Sequence, residues 1–395
     1  MDAGWISKVR VRRVGVAACY LFTGLVSASW ASRVPAIKGG LDLGDGRFAV
    51  ALLGLEAGAV LGLQLGGLVV PRTGSRPALT LSLVAFSGAL LLPAFAPNLP
   101  LLAAGLFVFA VLNSVADVAM NAQGVAVQRL VGRPVLSGLH AMHSLGGVLG
   151  AVAGAFAARL GFAPPQQFLA CAAAGVVAAI VAWPLLLPSQ IDMEAERSGD
   201  GRSLAGGLRR WFGGWSAPVF LLGALAFCYA LGEGAGLNWS AVYVADSLGG
   251  TEGLGAIGLG IFLGAVTLGR LVGDRLVARF GAAWVFRAGA LVAGLGFGGA
   301  LLLNTPLAGL VGLGLLGAGI ANALPLAIAA GGDSPGETPA TAAARVSTLG
   351  YLGSFVGPVL VGSLASVSSL PLALGLPALL VLATVFGAGA VRRAG

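Results

Sequence analysis

One set of polar side chains in this sequence has the spacing of a proton-binding site. Asn113, Asp117 and Asn121 follow one another at intervals of four residues, so they share one face of a helix. They lie inside a long apolar run, where an isolated carboxylate is unfavourable. An acid in such a place can take up or release a proton when its surroundings change.

The two histidines of the chain lie in the apolar run that follows. Residue 131 marks the turn between the two runs, and residues equidistant from a turn lie at similar depth in an antiparallel helix pair. This count places His140 and His143 beside Asn121 and Asp117. Because imidazole titrates near neutral pH and burial disfavours a charged carboxyl group, we predict a proton site here. The alternative is a purely structural network of hydrogen bonds between the two helices.

A second candidate site centres on Glu233, in the sequence YALGEGAGLNWSAVYV of residues 229–244. Three glycines surround the acid: Gly232, Gly234 and Gly236. They predict a loosened helix whose exposed backbone groups can bind a ligand. Asn238 adds a hydrogen-bond donor and acceptor, and Trp239 adds either a flat apolar face for a ligand or an anchor at the membrane interface.

Further polar residues complete the candidate substrate or proton pathway. Glu56 and Asn322 lie within apolar runs, and Arg33 either snorkels to the membrane surface or contacts the substrate. A second set is predicted to gate the inner side: Arg72, Gly74, Arg76, Arg270 and Asp274. Within it, Arg270 can pair with Asp274 four residues later. No metal-binding or redox spacing of cysteines occurs in the sequence, so we expect no metal, cofactor or catalytic residue.

The composition restricts the classes of protein that can use these residues. Of the 395 residues, 57% are hydrophobic and 10% are charged, against roughly 25% charged in a soluble domain. A mean hydropathy of +0.93 excludes a soluble enzyme and a disordered chain. The net charge of +8 is spread over short clusters between apolar runs, which favours contact with a lipid bilayer over contact with nucleic acid.

The apolar runs predict an all-α membrane protein with twelve transmembrane helices in two pseudo-symmetric six-helix bundles. A helix needs about 20 apolar residues to cross a bilayer. The runs are 14–34, 48–70, 77–96, 100–126, 135–160, 166–187, 217–245, 253–275, 283–303, 305–330, 344–366 and 370–391. Short alternating segments typical of a transmembrane barrel are absent from the sequence.

The basic residues predict the orientation of these helices. With the N-terminus inside, 18 of the 23 Lys and Arg residues fall on the inner side and four on the outer side. Positive charge concentrates on the cytoplasmic side of membrane proteins. We therefore expect a multi-pass protein of the cytoplasmic membrane with both termini cytoplasmic. The first run lacks an Ala-x-Ala cleavage site and is interpreted as a span, not a signal peptide.

A polar stretch divides the chain into two similar halves. Residues 188–216 are predicted to be a cytoplasmic linker between an N-terminal bundle, 1–187, and a C-terminal bundle, 217–395. The sequences GGLVVPRTGSR (66–76) and GRLVGDRLVARFG (269–281) lie about 206 residues apart and end equivalent spans. Repeats of this size are typical of secondary transporters. Glycines at intervals of four residues in the second run predict close packing of helices: Gly54, Gly58, Gly62 and Gly66.

The six-plus-six layout and the glycine- and arginine-bearing turn after the second span resemble the major facilitator superfamily over essentially the whole chain. The family's turn, roughly G-x-x-x-D-R-x-G-R-R, corresponds here to Gly67, Pro71, Arg72, Gly74 and the pair Ser75 and Arg76. The acid of that pattern is replaced by Pro71 and one arginine by Ser75.

Within that superfamily the sequence is most similar to the fucose-permease-like branch, including bacterial inner-membrane members. The segments that carry the similarity are ASWASRVPAI (28–37), ADVAMNAQGVAVQR (116–129), GEGAGLNW (232–239) and GYLGSFVGPVLVG (350–362). The resemblance implies that Asp117, followed four residues later by Asn121, contacts substrate and takes part in proton coupling. The span-1 acid of the sugar permeases is absent, because Ala31 stands four residues before Pro35.

These patterns together predict a secondary transporter that works by alternating access and is coupled to protons. We expect a small-molecule substrate, protons and the lipid bilayer as its partners, and a monomer. The alternative is a proton-antiport exporter of drugs or metabolites. Such exporters often have a Gly-x-x-x-Gly-Pro element in span 5, whereas this chain has a similar element in span 11, at Gly353, Gly357 and Pro358. A membrane hydrolase would need Ser144 and His140, four residues apart, as nucleophile and base. A sensor that binds but does not transport is the remaining alternative.

Overall fold

The computed structural model describes residues 3–131, 135–188, 215–332 and 339–393. Within these ranges it contains helices and no strand. Among the described residues, twelve helical segments are long and apolar enough to cross a bilayer, which confirms the predicted number of spans. The first half contains α1 (Ala3–Ser32), α2 (Val34–Gly40), α3 (Asp45–Thr73), α4 (Ser75–Ala89), α5 (Leu91–Ala94), α6 (Leu99–Val131), α7 (Leu136–Arg159) and α8 (Pro164–Leu185).

The second half contains α9 (Ala217–Val242), which continues as a π-helical turn, Tyr243–Ser247. It is followed by α10 (Glu252–Phe280), α11 (Ala282–Leu303), α12 (Pro306–Ile320), α13 (Ala323–Gly332), α14 (Pro339–Val367), α15 (Leu370–Ala383) and a 3₁₀ segment, Thr384–Arg393. Residues 189–214 of the predicted linker lie outside the described residues.

Helix packing groups the chain into two compact units. One consists of Met1–Leu43 with Val50–Gly201, and the other of Gly44–Ala49 with Arg202–Gly395. A core of the first unit, packed around the middle of α1, is formed by apolar side chains such as Val16, Leu79 and Val127, which are almost completely buried. Each unit contains its own polar site, described below.

The same glycine-mediated contact joins the first and fifth spans of each unit. In the first unit, a methyl group added at Gly146 or Gly150 of α7 would overlap the backbone of α1, at Leu21 or Leu25. In the second unit, Gly353 and Gly357 of α14 meet the backbone of α9 in the same manner, at Phe227 and Leu231. The partners are 206 or 207 residues apart in the sequence, so the repeat predicted from the span ends also governs helix contacts.

The predicted glycine ridge of α3 packs closely against α6. Methyl groups at Gly54 and Gly58 would overlap the backbone oxygens of Ala103 and Phe107, and the contact continues at Gly62 and Gly66. Small residues allow this approach of two backbones, so the ridge serves packing. The turns that end α3 and α10 also match, because Gly74 and Gly281 both have left-handed φ angles, 84° and 83°. That conformation favours glycine.

Among the boundaries that differ from the prediction, two have identifiable reasons. Span 4 was predicted to end at residue 126, but α6 extends to Val131, because the polar residues near its end do not interrupt backbone hydrogen bonds. Span 10 was predicted as one segment, 305–330, but it breaks into α12 and α13 at residues 321–322. Pro325 has no N–H to donate to the carbonyl of Ala321, so the helical ladder cannot continue there.

Candidate functional site

A polar cavity of about 210 Å³ lies inside the first unit. Its walls come from three helices, and the lining residues are Thr23 of α1, Asn113, Ser114, Asp117 and Met120 of α6, and His143 of α7. The structure therefore brings together Asp117, Asn113 and His143, as the four-residue spacing and the depth count predicted. No set of three or more His, Cys, Asp or Glu side chains that could hold a metal ion occurs among the described residues.

Close contact between α1 and α7 places Thr23 beside His143. A methyl group at Gly24 would overlap the backbone oxygen of His143, so the two helix backbones touch at the level of the cavity. The hydroxyl oxygen of Thr23 lies 3.2 Å from Nδ1 of His143, and either group can donate, depending on the tautomer of the imidazole. Thr23 is not among the predicted site residues; its signal in the sequence is a hydroxyl residue next to a glycine inside an apolar run.

Asp117 is hydrogen-bonded to Asn121, which is in turn hydrogen-bonded to Tyr20. The amide nitrogen of Asn121 donates to Oδ1 of Asp117 at 3.1 Å and to the backbone oxygen of Asp117 at 2.9 Å. The hydroxyl of Tyr20, which is completely buried in α1, donates to Oδ1 of Asn121 at 2.8 Å. Tyr20 is also not among the predicted site residues, although it is one of only four tyrosines in the chain.

His140 completes this site from α7. Its ring meets the ring of Tyr20 edge to face, with centroids 5.1 Å apart. The hydroxyl of Ser144 donates to the backbone oxygen of His140 at 3.3 Å. This hydrogen bond uses a backbone acceptor, so it does not form the serine–imidazole pair that a hydrolase would need.

The second unit contains an ion pair between two spans. Arg270 of α10 donates from its terminal nitrogen to Oε1 of Glu233 of α9 at 2.9 Å. Its Nε also donates to the backbone oxygen of Ala321 at 3.3 Å, the carbonyl that Pro325 leaves without a helical donor. Arg270 was predicted to pair with Asp274, whose side chain lies outside the described part of the chain. The structure joins Arg270 to Glu233, and the predicted pair with Asp274 stays a prediction.

Asn322 belongs to the same region of the second unit. Its amide donates to the backbone oxygen of Gly269 at 2.9 Å, next to Arg270 in α10. The side chain packs directly over Gly273, where a methyl group would overlap it. The break in span 10 is therefore fixed to α10 by two polar side chains, Arg270 and Asn322.

The prediction that the glycines loosen span 7 is wrong. Helix α9 runs without interruption from Ala217 to Val242. A methyl group at Gly234 would overlap the backbone of Ser354, and one at Gly236 would lie 2.5 Å from the ring of Phe262. These glycines admit neighbouring helices, and the backbone stays helical because close packing stabilises it.

The two residues that follow in the candidate site, Asn238 and Trp239, both donate hydrogen bonds within the second unit. Asn238 is half-buried, and its amide donates to Gly234 of its own helix at 3.0 Å. Trp239 is completely buried, and its indole nitrogen donates to the backbone oxygen of Pro358 at 2.9 Å. A buried indole offers neither a flat face for a ligand nor an anchor at the membrane interface, so both interpretations of Trp239 are corrected.

Two further predicted residues of the first unit, Glu56 and Arg33, do not line its polar cavity. Glu56 of α3 is half-buried between the contacts of Gly54 and Gly58 with α6, about 18 Å along α6 from Asp117. Arg33 is 1% exposed, and its guanidinium donates to the backbone oxygens of Phe162 and Gly154. Since it is buried and bound to main-chain groups of its own unit, it does not snorkel to the membrane surface.

The residues predicted to form a gate have local partners. Arg72 is exposed and donates to Leu68 of its own helix at 2.8 Å. Gly74 forms the left-handed turn between α3 and α4. The guanidinium carbon of Arg76 lies 4.3 Å from the ring centroid of Trp183, a cation–π contact between α4 and α8. In the part of the chain that the structure describes, none of these three residues forms an ion pair.

Comparison with known proteins identifies the family. The family model of the Major Facilitator Superfamily matches residues 16–358. The chain belongs to the major facilitator superfamily. Among its relatives, an uncharacterised MFS-type transporter of Yersinia pestis is 32% identical over 97% of this chain and 96% of that protein. The uncharacterised transporter y4wD of Sinorhizobium fredii is 34% identical over 91% of this chain and 92% of that protein.

Solved structures of the superfamily share the fold at low sequence identity. A mutant of the nucleoside transporter NupG gives a TM-score of 0.78 at 12% identity, over 96% of this chain and 99% of that chain. A D-xylose–proton symporter gives a TM-score of 0.69 at 16% identity, over 97% of both chains. These similarities establish a multi-pass membrane protein with the twelve-helix fold of the superfamily. The fucose-permease-like branch stays a prediction.

Proposed function

We propose that this protein is a secondary active transporter that moves a small molecule across the cytoplasmic membrane by alternating access, coupled to protons. The observation that carries the proposal is the position of Asp117, in a polar cavity within the middle of a transmembrane helix. Membership of a transporter family supports a transporter and not an enzyme.

The depth of Asp117 supports a role in proton movement. It lies 14 residues before the end of α6 at Val131, or about 21 Å along the helix. A charged side chain near the centre of a bilayer costs at least about 2.5–3.5 kcal/mol unless it faces a wet cavity or a partner. When the cavity opens to one side of the membrane and then to the other, the environment of the carboxyl group changes, and so does its affinity for a proton.

The cavity is large enough for a proton site with waters but is smaller than the pockets that hold whole drug-sized ligands. Drug-sized ligands occupy pockets of about 300–1,000 Å³, whereas a water molecule takes up about 30 Å³. A space of about 210 Å³ lined by hydroxyl, amide, imidazole and carboxyl groups holds waters or one polar group of a substrate. We assign this cavity to the proton and to one end of the substrate.

The ion pair in the second unit is proposed as a further contact for the substrate. Arg270 and Glu233 keep 35% and 23% of their side-chain surfaces exposed, so hydrogen-bonding groups of both remain accessible. The pair is neutral overall, and a neutral ligand with hydrogen-bond donors and acceptors satisfies it without adding an uncompensated charge. This favours a neutral or weakly charged substrate.

The orientation of the spans in the membrane follows from the distribution of basic residues. Basic residues concentrate on the side that we assign to the cytoplasm, which places both termini there. We assign residues 1–187 and 217–395 to two six-helix bundles joined by the linker 188–216, and we expect the transporter to work as a monomer.

Transport by the purified protein in proteoliposomes tests this proposal. An imposed pH gradient and a pH-sensitive dye inside the vesicles report proton movement, while labelled nucleosides, pentoses and other neutral small molecules report substrate movement. We expect at least one substrate to move together with protons, and the direction of the proton flux distinguishes symport from the exporter mechanism. Substrate movement that is independent of the pH gradient would contradict proton coupling, and binding without any flux would favour a sensor.

A further inference from the structure

A chain of hydrogen bonds connects α1 to the carboxyl group of Asp117. Tyr20 donates to Oδ1 of Asn121 at 2.8 Å, and the amide nitrogen of Asn121 donates to Oδ1 of Asp117 at 3.1 Å. The same nitrogen donates to the backbone oxygen of Asp117 at 2.9 Å. All three contacts lie inside the first unit, at the edge of the polar cavity.

These contacts fix which end of the Asn121 side chain points at Asp117. A backbone oxygen only accepts hydrogen bonds, so the amide nitrogen must be the group that faces it. Tyr20 then supplies the donor that the amide oxygen on the other side requires. Both neighbours therefore favour the same orientation of the amide, and the N–H group points at Oδ1 of Asp117.

This orientation has a consequence for the two oxygens of the carboxyl group. Oδ1 faces a donor, so it cannot carry a proton without losing that hydrogen bond. Oδ2 accepts no hydrogen bond from any described residue. We propose that Tyr20 is a positioning residue that locks Asn121, so that Oδ1 of Asp117 stays an acceptor and Oδ2 is the oxygen that binds and releases the proton. This inference rests on the proposed role of Asp117.

The hydrogen bond that Asn121 donates to Oδ1 stabilises the ionised carboxyl group of Asp117 more than the protonated one. A hydrogen bond from an amide to a charged oxygen is stronger than one to a neutral carbonyl oxygen. Without the hydroxyl of Tyr20, the amide oxygen of Asn121 loses its donor, and only the backbone oxygen of Asp117 still favours this orientation of the amide. The ionised form then loses part of its stabilisation, and Asp117 takes up its proton at a higher pH.

Other titratable groups around α6 are distributed as follows. His140 and His143 face the site from α7, and His140 also touches the ring of Tyr20. Glu56 of α3 lies at the level of Ala103 to Phe107, away from Asp117. Arg76 of α4 stacks over Trp183 of α8. The two histidines are thus the titratable neighbours that a measured pH profile must take into account.

Replacement of Tyr20 by phenylalanine tests the proposal. Tyr20→Phe removes only the hydroxyl and keeps the ring that contacts His140. Loss of one hydrogen bond is expected to move the pH of half-maximal proton-driven uptake upward by about 0.4–1 pH unit, with the maximal rate changed less than about twofold. Tyr229→Phe is the control, because Tyr229 is equally buried but donates to Phe286 in the second unit, at 3.0 Å. It is expected to leave the midpoint unchanged.

Infrared difference spectroscopy on the protein in lipid gives a second readout that does not need transport. If Oδ2 carries the proton, Oδ1 is the carbonyl oxygen of the acid and accepts a hydrogen bond, which lowers its C=O stretching frequency. Tyr20→Phe is expected to raise that frequency, Asp117→Asn to abolish the band, and Tyr229→Phe to leave it in place. A band that is identical in wild type and Tyr20→Phe, with an unchanged pH midpoint, overturns the role of Tyr20.

Asp117→Asn separates failure of this inference from failure of the proposed function. If Asp117→Asn removes the pH dependence of uptake but Tyr20→Phe does not shift it, Asp117 is the proton site and Tyr20 does not position it. If Asp117→Asn keeps the full pH dependence, the coupling proton binds elsewhere: the role of Asp117 and this inference then fail, while proton-coupled transport stands.

Discussion

The ion pair between Glu233 and Arg270 provides a quantitative test of the second site. The pair joins α9 to α10 over 2.9 Å, and Arg270 also holds the carbonyl of Ala321 at the break in span 10. Glu233→Gln leaves a guanidinium without its counter-ion, and Arg270→Gln leaves both a carboxylate and a backbone oxygen without a donor. The double variant removes both charges together.

The expected energies follow from the partial exposure of the pair. Coulomb attraction at this distance, with an effective dielectric constant near 20, is on the order of 4–6 kcal/mol before desolvation. Exposed pairs contribute about 0.2–1 kcal/mol, and truncation of a buried pair costs about 3–5 kcal/mol. Because both side chains are partly exposed, we expect a coupling energy between these limits, about 1–2 kcal/mol. Arg270→Gln should cost more than Glu233→Gln because it also removes a hydrogen bond to Ala321.

A double-mutant cycle measures this coupling. Unfolding in mixed micelles with increasing sodium dodecyl sulfate gives the free energy of unfolding for wild type, both single variants and the double variant. We expect the double variant to lose less stability than the sum of the single losses. Arg72→Gln is the control, because Arg72 is exposed and bonds only its own helix, and it should change the free energy by no more than about 0.5 kcal/mol. Additive losses would refute the inference that the two side chains stabilise each other.

Three further outcomes are expected. Gly146→Ala and Gly353→Ala should each lower the free energy of unfolding by about 1–3 kcal/mol because the added methyl groups separate equivalent helix pairs. Gly298→Ala is the control and should be neutral, because no atom lies near its added methyl group. Equal effects at all three positions would contradict the repeated contact. Arg33→Gln should reduce the yield of folded protein in detergent by removing donors to main-chain oxygens, and a normal yield combined with weaker substrate binding would instead indicate substrate contact. Cysteine probes at 40–46 and 246–252 should react from outside the cell and probes at 195–205 only after permeabilisation; the reverse labelling would contradict the proposed orientation.

The fold could be predicted because its signals are local and repeated. Twelve apolar runs of spanning length and the glycine ridge of α3 are properties of single segments, and the structure confirms both. The repeat also appeared in the sequence, since the arginine- and glycine-bearing turns after spans 2 and 8 keep the same spacing as the helix contacts.

The Asp117 site was partly predictable for a similar reason. The spacing of Asn113, Asp117 and Asn121 defines a helix face, and a short turn fixes which part of the next span lies at the same depth. Tyr20 and Thr23 escaped prediction because they reach the site from span 1, and nothing in their local sequence specifies which face of span 1 meets α6 and α7.

The second site was predicted less well because it depends on contacts between distant segments. Spacing of four residues suggested a partner for Arg270 within its own helix, and it gave no sign of the partner that the structure shows, which is 37 residues away. The glycines around Glu233 have two physical uses, loosening a helix and admitting a neighbour. Only the position of α14 and α10 against α9 shows that the second use applies here.

Transport by Asp117→Asn tests the central claim most directly. Asparagine keeps the shape and much of the hydrogen bonding of Asp117 but cannot exchange a proton. With a substrate identified in the proteoliposome screen, we expect the variant to exchange substrate across the membrane at a rate comparable to wild type. We expect it to fail to accumulate substrate against a gradient when a pH difference is imposed. Accumulation at the wild-type level, still driven by the pH difference, would show that the coupling proton does not bind at Asp117.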